Sequence, residues 1–380
     1  MSHNPATISC PHETILTHAH TQQKLDRYIL PNTSSRRWLG NGAGHMKSHA
    51  LPSIRSSNTR LLGAAAAAAI MLVPVYAHAQ SAPILTKALP PDAYYANVYP
   101  PGAPFRSWLD MVSASQAAQP NWMTPLVTVT PRLEQEFRWD VYDQQNGHGS
   151  QGNGQHLVNY GGPGGPRVEF IPSYDWEVIL APPPYVTASG PKGTAAGWGD
   201  WPMFLVKYRL AYGNAEHGDY IVTAFFQMTD ALGTAGKIST QVTTAQPTVA
   251  FGKGWGDFDI QSTVSVQVPV DALNVPGGAS AQTNIRNFGD PILWNTALQY
   301  HLFRYFWPEV EVNYEYWPNG EHINLNQVLI TPGLILGRFQ IGNDTPTRPI
   351  NLIIGAGYQI AVTPNPVTQN NFVGTIRVTF

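Results

Sequence analysis

Charged side chains recur at every second position in several stretches of this chain. Arg132, Glu134, Glu136, Arg138 and Asp140 alternate with Val129, Leu133, Phe137, Trp139 and Val141, while Glu309, Glu311 and Glu315 alternate with Val310, Val312, Tyr314 and Tyr316. Glu169, Lys207, Arg209 and Arg377 sit in similar company. Successive side chains of a strand point to opposite faces, so this spacing gathers charge on one face and apolar groups on the other. With Arg167, Asp175, Glu177, Asp257 and Asp259 added, the charged face carries six cations and eleven anions. If that face lines a narrow passage, its acidic excess favours cations or neutral molecules over anions, and salt weakens the preference.

Other chemistry is poorly supplied. Nucleophilic catalysis needs Ser, His and a third polar group together. The alternating register puts Ser262 on the apolar face but Ser265 and His301 on the charged one, so no Ser/His pair is expected to share the apolar side of neighbouring strands. The Gly-Asp turns Gly197–Asp200, Gly254–Asp257 and Gly289-Asp290 lack both a following helix and a calcium-loop ligand series, and read as structural turns. Gly147–Gly165, GHGSQGNGQHLVNYGGPGG, lacks a phosphate-loop lysine and reads as a mobile loop. Cys10 is the sole cysteine, and the N-terminal histidines have no ligand spacing. No catalytic, cofactor or metal set emerges. The formal charge of -2, without a Lys/Arg block, argues against nucleic acid.

The elements that would carry these residues are β-strands. Only 12% of the 380 residues are charged, and 34 Gly with 33 Pro discourage long helices. Eleven alternating segments occupy about 124–143, 167–181, 200–212, 219–231, 242–251, 257–270, 289–302, 305–317, 325–340, 348–362 and 369–380. A strand of about 11 residues, tilted about 45°, spans the ~25 Å apolar band of an outer-membrane barrel. Trp139, Trp176, Trp294, Tyr300, Tyr314 and Tyr316 lie near segment ends, where half-wet rings suit a membrane boundary. Connections alternate between shorter and longer, and an even strand number is required; the twelfth is expected near Gln155–Tyr160 or before Asn121. The fold class is therefore all-β: a closed antiparallel transmembrane β-barrel of about 12 strands. Val264 and Val310 should face lipid and Glu311 the lumen, with Val264→Arg costing ~2–4 kcal/mol and Glu311→Gln little.

Upstream, Lys47, Arg55 and Arg60 precede an apolar run from Leu61 to Val75 and an Ala77-His78-Ala79 cleavage signal. The expected organisation is an unstructured extension at 1–45, a signal peptide at 46–79, a Pro-rich segment at 80–121 that forms a periplasmic tail or a plug, and a barrel at 122–380. A short helix is expected over Ser107–Gln116. From Gln80 onward the chain holds 15 Lys+Arg against 22 Asp+Glu and no cysteine.

Several stretches carry a resemblance: WMTPLVTVTPRLEQEFRWD (Trp122–Asp140), GWGDWPMFLVKYRL (Gly197–Leu210), GDYIVTAFF (Gly218–Phe226), PTVAFGKGWGDFDIQST (Pro247–Thr263), WNTALQYH (Trp294–His301), WPEVEVN (Trp307–Asn313) and TPGLILGRF (Thr331–Phe339). Together they resemble an outer-membrane transporter family named for the meta pathway of phenol degradation. The resemblance implies a barrel in the cell outer membrane and uptake of aromatic or other hydrophobic small molecules, with no catalytic residues. The expected partners are outer-membrane lipid and lipopolysaccharide, a small-molecule solute, and the barrel assembly machinery. The last is reached through a C-terminal strand ending in Phe380, which resembles the terminal aromatic signal of such proteins. The other functions compatible with the sequence are an outer-membrane lipid-modifying enzyme and a structural or surface-interaction barrel without transport.

Overall fold

The computed structural model describes residues 104–147, 153–162, 166–191, 193–232, 238–274, 278–345 and 348–380. The expected extension, the signal peptide and the Pro-rich residues up to 103 lie outside the described residues. The chain forms α1 (Pro104–Ala117), β1 (Glu136–Asn146), β2 (His156–Tyr160), β3 (Arg167–Ser173), β4 (Trp176–Leu180), β5 (Tyr185–Ser189), β6 (Ala195–Trp198), β7 (Trp201–Gly213), β8 (Tyr220–Asp230) and β9 (Val242–Trp255). There follow β10 (Phe258–Val266), β11 (Val268–Ala272), α2 (Ala281–Phe288), β12 (Ile292–Tyr300), β13 (Phe306–Tyr316), β14 (Asn326–Thr345), β15 (Arg348–Ala361) and β16 (Thr368–Thr379).

Twelve antiparallel strands run in the order β1-β3-β4-β7-β8-β9-β10-β12-β13-β14-β15-β16, and β16 pairs back onto β1 from Glu136↔Thr379 upward. Closure leaves no unpaired edge along these strands. The end where β1 starts and β16 finishes carries the tight 256–257 turn; the opposite end carries the longer 231–241 and 267–291 connections. Alternation is well kept. Phe137, Trp139, Leu210, Val310 and Ile376 are exposed, while Glu136, Arg138, Arg209, Glu311 and Arg377 are buried.

Three neighbouring strands are broken at mid-height. β2 sits above β3, β5 above β4 and β6 above β7, with β1–β2, β2–β5 and β5–β6 pairing in the far half and β1–β3, β3–β4 and β4–β7 in the near half. Among the described residues, 161–162, 166, 181–184 and 199–200 lie at the breaks. Pro182, Pro183 and Pro184 contribute one of them, because proline has no N–H for a ladder.

Three expectations need correction. The twelfth strand comes from the segment 167–181, which folds back at Tyr174-Asp175 into β3 and β4 rather than running as one strand. Gly147–Gly165 is not wholly loop, since His156–Tyr160 forms β2 as the far half of the second strand. Finally, the segment 124–143 is not one strand: the wall begins at Glu136, and residues before it lie off the ladder. The expected helix is present as α1.

Candidate functional site

Residues 119–135 form a strap inside the barrel, and its prolines explain why it is not wall. Pro120, Pro125 and Pro131 cannot donate to a ladder, so the backbone turns to side chains for partners. The Glu311 carboxylate accepts both the Val127 N–H (2.7 Å) and the Thr128 N–H (2.6 Å), and Glu309 accepts the Leu126 N–H at 3.1 Å. Cationic groups take the carbonyls: Arg138 donates to Leu126 O at 2.7 Å, Arg377 to Thr124 O and to Pro125 O, and Lys207 to Arg132 O at 3.2 Å. Gln261 donates to Met123 O at 2.8 Å, and Glu177 accepts the Glu134 N–H at 2.6 Å. A buried backbone with no ladder is thus satisfied group by group by the inward charges of the wall.

Wall glycines make room for the strap side chains. A Cβ on Gly333, Gly355 or Gly357 would stand 2.6, 2.9 or 2.8 Å from the Leu126 methyls, so these absent side chains form a socket for Leu126. A Cβ on Gly252 would stand 2.4 Å from the Trp122 ring, and Trp122 Nε1 donates to Asp219 at 3.1 Å. Met123 and Leu126 pack with inward Tyr142, Trp307, Ile335, Ile353 and Val373. The strap is therefore held by an apolar core as well as by polar clamps.

At the near end α1 packs Val112 against Leu133 and Ile171, and Trp108 Nε1 donates to Ile171 O at 2.7 Å. Arg209 ties the helix to the β3–β4 turn by donating to Ser115 O (2.8 Å), Tyr174 O (2.9 Å) and Asp175 (3.0 Å). Burial holds the Tyr174 phenol above its ordinary value, against the opposing pull of Arg209.

The charged residues singled out from sequence are brought together by pairing. Arg132 meets Glu134 at 3.0 Å, Arg138 meets Asp140 at 2.8 Å, Arg167 bridges Asp140 (3.5 Å) and Glu169 (2.7 Å), and Lys207 meets Glu177 at 2.9 Å. Glu136, Glu309, Glu311 and Arg377 are buried, whereas Glu315 lies towards the far end of β13 and accepts from Gln327 at 3.4 Å. Arg132 and Glu134 belong to the strap and not to the wall.

Beyond the crest of the strap lies a cavity of about 460 Å³. Val127, Thr128, Val129 and Thr130 of the strap floor it; Ile179, Val186, Phe204 and Leu205 give it apolar walls; Asn159, Ala181, Pro184, Gly199 and Pro202 line it beside the broken part of the barrel. Its charged groups are Arg138, Asp140, Arg167, Glu169, Lys207 and Asp200. The first five belong to the ion pairs above, and Asp200 accepts from Ser239 (2.5 Å) and Thr240.

On the outer face, the structure departs from the expectation that no Ser/His pair shares neighbouring strands. His156 of β2 bonds Asp143 of β1 and stands opposite Ser189 of β5. Among the described contacts no hydrogen bond joins Ser189 to His156, so the nucleophile–base contact of a triad is missing. Sequence reading missed this pair because β2 lay inside a presumed loop. Ser262 is covered by the outward Trp294, whose Nε1 donates to it at 3.0 Å. Among the described residues no cluster of three metal-ligating side chains occurs.

No protein-family model matches the chain, and none of the curated proteins compared with it matches. Among solved structures, the chain is similar to the COG4313 outer membrane channel from Pseudomonas putida F1, at 10% identity and a TM-score of 0.43 over 65% of this chain and 96% of that one. It is similar also to Salmonella typhi OmpF in complex with daunomycin (9% identity, TM-score 0.30, 64% and 96% covered). A third is the outer membrane channel DcaP of Acinetobacter baumannii (10% identity, TM-score 0.27, 65% and 96% covered).

Proposed function

We propose that the chain is an outer-membrane channel for small molecules, its lumen narrowed by the strap at 119–135, and that its solutes are uncharged and hydrophobic or aromatic. The carrying observation is a closed twelve-strand barrel with an apolar exterior and a polar, ion-paired interior. Lipid contact asks for the first and an aqueous path for the second. The charged residues Arg132, Glu134, Glu136, Arg138, Asp140, Glu169, Lys207, Arg209, Glu309, Glu311, Glu315 and Arg377 shape this interior in two ways. Arg138, Lys207, Glu309, Glu311 and Arg377 hold the strap in place, and the ion pairs cancel much of the interior charge, which favours neutral solutes over ions. The family resemblance supports the same substrate class. Outer-membrane lipid and lipopolysaccharide surround the barrel, and the assembly machinery receives it by the strand ending in Phe380.

A lipid-modifying enzyme is the weaker reading, because no hydrogen bond joins His156 to Ser189 among the described contacts. Permeation of uncharged solutes into liposomes carrying the purified chain tests the proposal. Faster entry of neutral than of equally sized charged solutes is expected. Lipid hydrolysis without permeation would replace the channel by the enzyme.

A further inference from the structure

The cavity beyond the strap has a polar feature that channel activity alone does not explain. Thr128 is wholly buried, and its hydroxyl oxygen has no hydrogen-bond partner; the amide oxygen of Asn159 is likewise buried and unpartnered. Thr128 is on the strap and Asn159 on β2 beside the broken wall, yet both line the same cavity. A buried polar atom without a partner costs free energy, so two of them on one cavity mark a place where a partner from outside the chain is favoured.

The rest of the lining says what kind of partner fits. Every cation there is neutralised by a carboxylate at 2.7–3.5 Å, and the remaining acid, Asp200, is held by the Ser239 and Thr240 donors. Bringing in an ion would break one of these pairs or bury a charge uncompensated. Valine, isoleucine, leucine and phenylalanine side chains supply apolar surface beside the uncharged polar Gln227, Gln246 and Gln267, and 460 Å³ falls within the range of small-ligand pockets.

We infer that this cavity is a binding subsite for a small uncharged molecule with an apolar body and one hydroxyl or amide group, which hydrogen-bonds Thr128 and Asn159. The inference rests on the channel reading and deepens it: a solute would pause here between the far-end loops and the strap. Asn159 holds the ligand from the wall and Thr128 from the strap, so occupancy also joins the two.

Calorimetric titration of the purified full chain in detergent with cyclohexanol tests this, with cyclohexanecarboxylate and cyclohexylammonium as charged comparators. Cyclohexanol should bind, and both charged molecules should bind at least tenfold more weakly. Thr128→Val with Asn159→Leu should weaken cyclohexanol binding roughly tenfold, while Thr128→Ser should restore most of the loss in the single-site background. Equal binding to the double variant, or tighter binding of either ion, would overturn the inference. Liposome entry of arabinose, an uncharged sugar, measured on the same variants, reads the channel separately. Entry retained with cyclohexanol binding lost supports the subsite, and binding retained without entry would defeat the channel while leaving the subsite standing.

Discussion

Replacing Glu311 by alanine should loosen the strap without opening the barrel. The carboxylate accepts two buried backbone N–H groups, from Val127 at 2.7 Å and Thr128 at 2.6 Å. Each orphaned buried donor costs about 1–3 kcal/mol, so the docked strap should lose about 2–6 kcal/mol relative to a released one. The β13 ladder is backbone to backbone and does not pass through this side chain. The assay is hydrogen exchange at the Leu133 amide, which bonds Gln119 at 2.9 Å and does not contact Glu311. A release of about 3 kcal/mol corresponds to roughly hundredfold faster exchange there, with the amides of β13 unchanged. Glu311→Gln should show a smaller effect of the same sign, since one acceptor survives while the new NH2 meets an N–H. This revises the sequence-based expectation that Glu311→Gln costs little. Unaltered exchange at Leu133 in Glu311→Ala would refute the view that the strap docks as a unit through Glu311.

Four further outcomes are expected. Gly333→Ala should expel Leu126 from its socket, because the added Cβ would lie 2.6 Å from it, lowering stability by about 1–3 kcal/mol in denaturant unfolding; Leu126→Ala in the same chain should relieve the overlap. Val310→Arg on the outward face should cost ~2–4 kcal/mol at mid-membrane depth, read from refolding into vesicles, whereas Val310→Leu should be nearly neutral. N-terminal sequencing of the chain extracted from membranes should begin near Gln80, and a chain that still starts at Met1 would defeat the signal-peptide expectation. Under a salt gradient the reversal potential should be close to zero in high salt and weakly cation-selective in low salt, and a strong anion preference would contradict the paired interior.

Much of the wall was legible in the sequence because its two faces meet different solvents. Period-two patterns in Phe306–Tyr316 and Thr368–Thr379 could be read directly, and the exposed Val310 beside the buried Glu311 follows that reading. The strap was misread for an instructive reason. Val129, Leu133, Thr128, Thr130 and Arg132 alternate because a segment threaded through a lumen also has two kinds of neighbour. Pro125 and Pro131 were the available warning, since proline is disfavoured in a central strand. The inward glycines 252, 333, 355 and 357 were a second, as glycine within a strand signals close approach by something else. The β3–β4 hairpin was hidden because its Tyr174-Asp175 turn contains no glycine or proline. The pairing of Arg167 with both Asp140 and Glu169 depends on which strands adjoin, which period-two reading does not supply.

Channel function is tested most directly by single-channel recording of the purified full chain in a planar bilayer, on protein whose heat-modifiable gel mobility shows a folded barrel. Discrete, small conductance steps are expected, small because the strap occupies the lumen, and they should grow in Glu311→Ala as the strap is released. A folded barrel that yields no steps, with or without Glu311, would contradict the assignment of this chain as a channel.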